Sequence, residues 1–215
     1  MKSAAAEALG TALLLAAVVG SGIMGERLAG GNTAIALLAN SLATGFALIA
    51  LIVAFAPRSG AHFNPVVTLG LWWRGDFAGK GIAPYVVAQF AGALVGVLLA
   101  HAMFDLALLQ ASATVRSSPG QWLSEVVATF GLVFLVLSFD RKAASAAAFA
   151  VGSYIAAAYW FTASTSFANP AVTLARGFTA TFAGIGLGNV PAFVAAQLVG
   201  AGLAVFADRA LRPNP

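Results

Sequence analysis

Six apolar stretches follow one another along the 215-residue chain, separated by short polar segments. They cover residues 8–24, 33–56, 83–103, 122–139, 143–163 and 190–207. Each approaches the roughly twenty residues that a helix needs to cross a bilayer. Lys2 ahead of the first stretch resembles the start of a signal peptide, but Glu7 interrupts that stretch and five further spans follow. The pattern therefore predicts an all-α membrane protein with six transmembrane helices, a single domain over residues 1–215.

The composition supports this prediction and removes several classes of function. Hydrophobic residues make up 60% of the chain and charged residues 8%, which leaves too little polar surface for a water-soluble protein. The chain has no cysteine, so disulfides, thiol chemistry and thiolate metal sites are excluded. Its two histidines and few acids form no triad, dyad or metal cluster in the sequence. We therefore expect no enzyme activity, no cofactor and no metal.

Basic residues predict the orientation in the membrane. Six spans place both ends of the chain on one side, and eight Lys and Arg fall on that side against three on the other. The eight are Lys2, Arg58, Arg74, Lys80, Arg141, Lys142, Arg209 and Arg212; the three are Arg27, Arg116 and Arg176. Because cytoplasmic loops are enriched in Lys and Arg, both termini are predicted to be cytoplasmic, in the cell (inner) membrane. The net charge of +4 then reflects topology, and a nucleic-acid partner is not expected.

The two halves of the chain repeat each other. Residues 64–70 read NPVVTLG and residues 169–175 read NPAVTLA; residues 85–96 read YVVAQFAGALVG and residues 193–204 read FVAAQLVGAGLA. A span that opens with a glutamate precedes each copy, at residues 6–20 and 124–138. The repeats are therefore residues 1–110 and 120–215. Since each holds three spans, an odd number, the second half enters the membrane from the opposite side, as an inverted repeat.

Each Asn-Pro pair predicts the start of a short helix that enters the membrane without crossing it. Pro suits the first helical position and Asn suits the N-cap. Helix-compatible residues continue only over 65–74 and 170–178, which gives about 15 Å of helix, half a bilayer. Two such half-helices would meet end to end at the midplane, where inverted repeats place their permeation site. Asn64 and Asn169 would then supply amide donors at the pore centre.

The segments ahead of the two asparagines are predicted to line the pore with backbone carbonyls. Irregular backbone is tolerated at membrane depth only against protein or a watery cavity. The positive ends of the two half-helices would also oppose cations there. The segments are Gly60-Ala61-His62-Phe63 and Thr165-Ser166-Phe167-Ala168. His62 is either a pH sensor or, more often in such a loop, a residue that holds the backbone in place.

Two acidic residues, Glu7 and Glu125, occur once per half near the start of a span. A matched pair of carboxylates inside the membrane could form a proton relay in a coupled transporter. Alternatively, each could accept N–H groups of the re-entrant loop in its own half. Their occurrence once per half, beside a loop, favours this supporting role.

These motifs resemble those of the major intrinsic proteins, the family of aquaporins and aquaglyceroporins. The resemblance covers essentially the whole chain and rests on GAHFNPVVT, FANPAVT, AQFAGALVG, AQLVGAGLA and the two glutamates. It implies an aquaporin-like inverted repeat of six transmembrane helices and two re-entrant half-helices. It also implies a homotetramer in the lipid bilayer, with one pore per subunit for small neutral solutes.

The chain departs from the family pattern at two positions. Val66 stands where Ala usually follows Asn-Pro. Val172 stands where most members have an Arg that forms one side of the outer constriction. By the family's spacing, the other members of that constriction are Thr44, Ala157 and Ser166. This ring is small, uncharged and without an aromatic side chain, which predicts a wide selectivity filter.

Arg176 follows Val172 by four residues, one helical turn further along the second half-helix. It could simply be a cation at the carboxyl end of that helix, where a positive charge is favourable. Alternatively, the positive charge of the filter has moved from position 172 into the outer vestibule.

The expected function is a passive channel for water, glycerol-like polyols and arsenous acid or related arsenic species. A group of bacterial family members associated with arsenic resistance operons also has Val in place of the filter Arg, together with FANPAVT-like motifs. One alternative is a water-selective aquaporin in which the departures are neutral. The other, from a different class, is a proton-coupled secondary transporter that uses Glu7 and Glu125.

Overall fold

The computed structural model describes residues 1–140 and 143–212. Six helices in it are long and apolar enough to cross a membrane. These are α1 (Lys2–Leu28), α2 (Thr33–Ser59), α4 (Ile82–Met103), α5 (Pro119–Ser138), α6 (Ala144–Phe161) and α8 (Val190–Leu211). Two short helices complete the set, α3 (Pro65–Arg74) and α7 (Pro170–Ala175). The predicted all-α class with six spans is confirmed. Arg141 and Lys142, two of the eight basic residues on the predicted cytoplasmic side, lie outside the described residues.

The inverted repeat is visible in the packing. Helix α1 packs along α4, and the corresponding pair in the second half, α5 and α8, packs in the same way. Glycines make both crossings close: a Cβ added at Gly92 would lie 2.1 Å from the Ala8 carbonyl oxygen, and one at Gly200 would lie 2.4 Å from that of Val126. Small residues at such crossings let two membrane helices approach backbone to backbone.

The halves also meet directly through α2 and α6. A Cβ at Gly45 would lie 2.8 Å from the Gly152 carbonyl oxygen, so this crossing depends on glycine as well. The remaining space between the halves is filled by α3, α7 and the loops that lead into them. The core therefore surrounds the two Asn-Pro segments.

The two half-helices begin as the sequence predicts. The Asn64 side chain accepts the Val66 N–H at 3.0 Å, and the Asn169 side chain accepts the N–H groups of Ala171 and Val172 at 3.0 and 3.3 Å. Each cap satisfies backbone donors that the first turn of a helix leaves unpaired.

The second half-helix ends sooner than the first. Helix α3 runs to Arg74, whereas α7 ends at Ala175 and continues as a 3₁₀ turn over Arg176–Phe178. Beyond this turn the helix cannot continue, because the Arg176 carbonyl accepts from Ile185 N–H at 3.2 Å. Ala180 N–H, which an α-helix would aim at that carbonyl, donates to the Gln110 side chain at 3.1 Å.

The connector between the halves, residues 104–118, is tied to the segment that follows α7. Ser112 N–H donates to the Gly177 carbonyl at 3.1 Å, and Gly186 N–H donates to the Thr114 carbonyl at 2.7 Å. His101, fully buried at the end of α4, lies 2.8 Å from both the Leu108 carbonyl and the Thr179 hydroxyl. The connector is therefore a structured cover over one end of the bundle.

Candidate permeation site

The two asparagines meet at the centre of the bundle, and each bonds to the loop of the other half. Asn64 Nδ2 donates to the Ala168 carbonyl at 2.8 Å, and Asn169 Nδ2 donates to the Phe63 carbonyl at 2.9 Å. A side-chain amide has two N–H groups, so one on each asparagine remains for a solute. Both residues line the same cavity. The arrangement joins the two halves and places two donors at one point of that cavity.

The cavity has a volume of about 470 Å³ and extends along the bundle in both directions from the asparagines. On the α3 side its wall includes Arg58 and Asp140, and on the α7 side it includes Val172 and Arg176. Elsewhere the wall is largely aliphatic, with Leu48 among its members. A path of this kind combines an apolar wall with a few fixed polar groups, as small-molecule sites do.

Both loops hold non-glycine residues in the left-handed region of backbone conformation. Residues 61, 63, 165, 166 and 168 have φ values between 48° and 61°. Such backbone costs about 1–3 kcal/mol per residue and persists only where the surroundings fix it. The predicted loop residues Gly60, Ala61, His62, Phe63 and Ser166 all line the cavity, whereas Thr165 is not among its lining residues.

Glu7 supplies the fixing contacts in the first half. Its Oε1 accepts the Ser59 hydroxyl at 2.6 Å and His62 N–H at 3.0 Å, while Oε2 accepts Phe63 N–H at 2.6 Å. The side chain is fully buried and is not among the residues that line the cavity.

Glu125 repeats this arrangement in the second half. It accepts Phe167 N–H at 2.8 Å and Ala168 N–H at 2.9 Å, and it too is fully buried away from the cavity. Both carboxylates therefore lie where the loop-supporting interpretation places them. A proton relay would need contact with the permeation path, which neither carboxylate makes among the described residues.

Two glutamines that the sequence analysis left without a role complete the support. Gln89 Nε2 donates to Glu7 at 2.8 Å and to the Thr68 hydroxyl at 3.0 Å. Gln197 Nε2 does the same to Glu125 at 2.6 Å and to the Thr173 hydroxyl at 2.8 Å. Each thus links a loop to its half-helix. The signal was available, since AQF and AQL recur in the repeated block, but spacing alone does not show what a side chain touches.

One predicted member of the filter is wrong. Ala157 is exposed on the outer face of α6, away from the cavity, whereas Tyr159 lines it. Two residues on a helix are separated by about 200°, so they lie on nearly opposite faces. The prediction used the spacing typical of the family, twelve residues before Asn169. In this protein the residue on the cavity face is Tyr159, two residues nearer to Asn169. Thr44, Ser166 and Val172 do line the cavity, and the Thr44 and Tyr159 hydroxyl oxygens lie 3.3 Å apart.

A family sequence model described as Major intrinsic protein matches residues 1–164. The chain belongs to the major intrinsic protein family. It is 57% identical over 196 residues to aquaglyceroporin AqpS of Rhizobium meliloti (strain 1021), covering 91% of this chain and 84% of the relative. It is 32% identical over 225 residues to aquaporin Z of Rhodopseudomonas palustris (strain ATCC BAA-98 / CGA009), covering 98% and 93%.

A solved structure of the family has the same fold. The X-ray structure of the aquaglyceroporin from Plasmodium falciparum superposes with a TM-score of 0.76 over 99% of this chain and 97% of that one, at 20% sequence identity. With six membrane-spanning helices and this family membership, the protein is an integral, multi-pass membrane channel of the aquaporin and aquaglyceroporin family.

In this major intrinsic protein, Arg176 is buried in the cavity wall, so it is not the cation at the membrane interface that one of the two interpretations of its sequence position expected. Its side chain is only 2% exposed, and it lines the same cavity as Val172. The guanidinium carbon lies 3.4 Å from the centroid of the Phe167 ring, and Nε donates to the Ala183 carbonyl. The cavity wall at this end therefore contains both aromatic side chains and a positive charge, whereas the filter expected from the sequence had neither.

His62 is held in place on several sides. It is 7% exposed, its Nδ1 lies 3.0 Å from the Thr68 hydroxyl, and its ring packs against Phe77 and Tyr85 at 4.9 and 5.1 Å. These contacts support the interpretation of His62 as a residue that holds the first loop in place.

The loop-supporting role of Glu125 gives a stability prediction. Glu125→Leu leaves Phe167 N–H and Ala168 N–H buried without an acceptor, at about 1–3 kcal/mol each. We expect a lower melting temperature in detergent and a lower yield of folded protein. Glu125→Gln, which keeps one acceptor oxygen, should be less affected. Equal melting temperatures for Glu125→Leu and the unsubstituted protein would contradict this role.

Proposed function

We propose that this protein is a passive channel for small uncharged solutes that carry several hydroxyl groups. Water, glycerol-like polyols and trihydroxy acids such as arsenous acid are the solutes in question. The observation that carries the proposal is the two-sided wall near α7. Val172 provides an apolar surface there, and Thr44 and Tyr159, whose hydroxyl oxygens lie 3.3 Å apart, provide a polar one.

A polyol fits such a wall because it also has two sides. Its hydroxyls can exchange hydrogen bonds with the polar side while its C–H groups pass the apolar side. Thr44 and Tyr159 carry the hydroxyls of the polar side; Ser166 also lines the cavity, but its Oγ is covered from solvent and has no hydrogen-bond partner among the described residues.

The centre of the cavity continues this exchange. A solute hydroxyl oxygen can accept from the free N–H of Asn64 or Asn169. The loop carbonyls that line the cavity can accept the solute's own hydroxyl protons. Each step replaces hydrogen bonds to water with hydrogen bonds of similar quality, so no step requires a coupled source of energy.

The positions of the two glutamates favour passive flux over proton coupling. Each carboxylate is occupied by backbone N–H groups and a glutamine, away from the cavity. The relative that shares 57% identity is named an aquaglyceroporin, which favours polyol passage over strict water selectivity. The four filter residues expected from the sequence did not include Tyr159. Its aromatic side chain makes the pore narrower than those four residues alone would imply.

We also propose a homotetramer in the inner membrane with both termini cytoplasmic. The distribution of Lys and Arg supports the orientation. Many large apolar side chains on the outer faces, such as Phe46, Phe149 and Phe206, are exposed in the single chain. Lipid or neighbouring subunits would cover them.

Stopped-flow light scattering on proteoliposomes tests the proposal. In an inward glycerol gradient, vesicles should shrink and then re-swell much faster than protein-free vesicles, whereas in sucrose they should only shrink. Glycerol and arsenous acid fluxes should follow their own gradients whatever the pH difference across the membrane. Water flux without glycerol flux would establish the water-selective alternative. Accumulation against a gradient, driven by pH, would establish the coupled transporter.

A further inference from the structure

Arg176 is a buried cation without a counter-ion. Its side chain is 2% exposed, and no carboxylate pairs with it in residues 1–140 and 143–212. A buried, uncompensated charge is costly and in membrane proteins is usually retained for function. The nearby carboxylate, Glu125, already accepts three hydrogen bonds from Phe167, Ala168 and Gln197.

The surroundings fix the guanidinium in one orientation. It stacks on the Phe167 ring at 3.4 Å, and its Nε donates to the Ala183 carbonyl. A planar guanidinium on an aromatic face is a favourable cation–π arrangement. Phe167 is in turn held by its N–H bond to Glu125 and by an edge contact with Phe193 at 5.3 Å.

The remaining donors of Arg176 have no partner in the protein. Neither η nitrogen finds a hydrogen-bond acceptor among the described residues, although the side chain lines the cavity. The η nitrogens are therefore the polar atoms that Arg176 contributes to the cavity wall.

Arg116 also places its guanidinium near the Phe167 ring. The Arg116 guanidinium carbon lies 5.1 Å from the Phe167 centroid. Two of its three nitrogens, however, are occupied: Nε donates to the Gly184 carbonyl at 2.9 Å and Nη1 to the Ser164 carbonyl at 3.3 Å. Burial lowers the pKa of Arg116, and the Glu125 carboxylate opposes that effect. Arg116 is not among the cavity-lining residues, and its hydrogen bonds join neighbouring loops. Arg176, in contrast, faces the permeation path.

From these contacts we propose that Arg176 is the specificity-determining cation of the permeation path, with Phe167 as its positioning residue. Its η N–H groups donate hydrogen bonds to the oxygen atoms of a passing neutral polyol or oxyacid. Its charge, in a low-dielectric wall, repels cations. Position 172 can then stay apolar, because the charge reaches the path from one turn further along the half-helix. This role requires a permeation path and no particular solute, so it can fail while the proposed solute range holds.

Cation leak and solute flux in proteoliposomes separate this role from a structural one. Arg176→Met and Arg176→Gln should raise the potassium or proton leak by about tenfold or more, since a fixed charge near the path is lost. Water flux in the same vesicles shows that the channel is folded and open. Arg176→Lys should keep cations out, and Val172→Arg in the Arg176→Met background should restore their exclusion. Arg116→Met, the matched control, should leave the leak unchanged.

A second measurement covers the case in which these variants fold poorly. The chain has no cysteine, so Arg176→Cys introduces a single thiol into the native background. It should react with small water-soluble thiol reagents in intact vesicles, and the reaction should reduce solute flux. Arg116→Cys should react far more slowly. An unreactive thiol at 176, or an Arg176→Met channel that passes water and still excludes cations, would overturn the proposal.

Discussion

Replacing either central asparagine with alanine is expected to lower glycerol permeability by about tenfold or more. Each substitution removes the N–H that faces the cavity, and a donor lost to a solute is worth about 1.4 kcal/mol, a factor of ten. It also breaks a bond across the halves, to Ala168 or to Phe63. The loss of the N-cap adds about 1 kcal/mol of helix destabilisation. Stopped-flow re-swelling, normalised to the amount of reconstituted protein, measures the effect.

Two further variants separate the lost donor from the lost cap. Asn64→Asp keeps the cap oxygens and removes the Nδ2 donor, so its permeability should fall while the half-helix stays capped. Ser118→Ala removes a comparable cap at the start of α5, where Ser118 Oγ accepts Gln121 N–H at 3.2 Å, away from the cavity. It should destabilise the protein without changing permeability. Unchanged flux in both asparagine variants would remove these residues from the pore centre.

The global architecture could be predicted because it rests on strong local signals. A bilayer admits only helices that satisfy their own backbone groups, so long apolar runs translate directly into spans. Asn64-Pro65 and Asn169-Pro170 start helices because Asn accepts first-turn N–H groups and Pro lacks one of them. Each half contains one such pair and three spans. Because three is an odd number, the two halves enter the membrane from opposite sides, and their short helices are expected to meet.

The details of the filter could not be predicted in the same way. Tyr159 lies on the cavity face in place of Ala157 because the loop before Asn169 is compact. The residues of the preceding helix do not determine the length of that loop. The chain around Arg176 leaves α7 in a 3₁₀ turn, and it is held by contacts with Ile185 in the following loop and with Gln110 in the connector. A periodic pattern carries no information about such long-range partners.

Narrowing the filter should abolish polyol passage while water still passes. Thr44 is 3% exposed on the cavity wall and Val172 is 6% exposed. Thr44→Phe adds an aromatic ring beside Tyr159, and Val172→Arg adds a second guanidinium beside Arg176. The double variant combines added bulk with the loss of the apolar surface that a polyol's C–H groups need. Glycerol permeability should fall toward that of protein-free vesicles, and the ratio of water to glycerol permeability should rise by about tenfold or more.

The correction at the fifth span supplies a matched control for this experiment. Ala157→Phe places the same ring two residues from Tyr159 but on the exposed face of α6. Its glycerol flux should match that of the unsubstituted channel, because the added bulk points away from the cavity. A block by Ala157→Phe with little effect of Thr44→Phe would restore the original ring and displace Tyr159 from the path. Loss of water and glycerol together in the double variant would show a closed pore, and the two-sided wall would then not be the element that selects the solute.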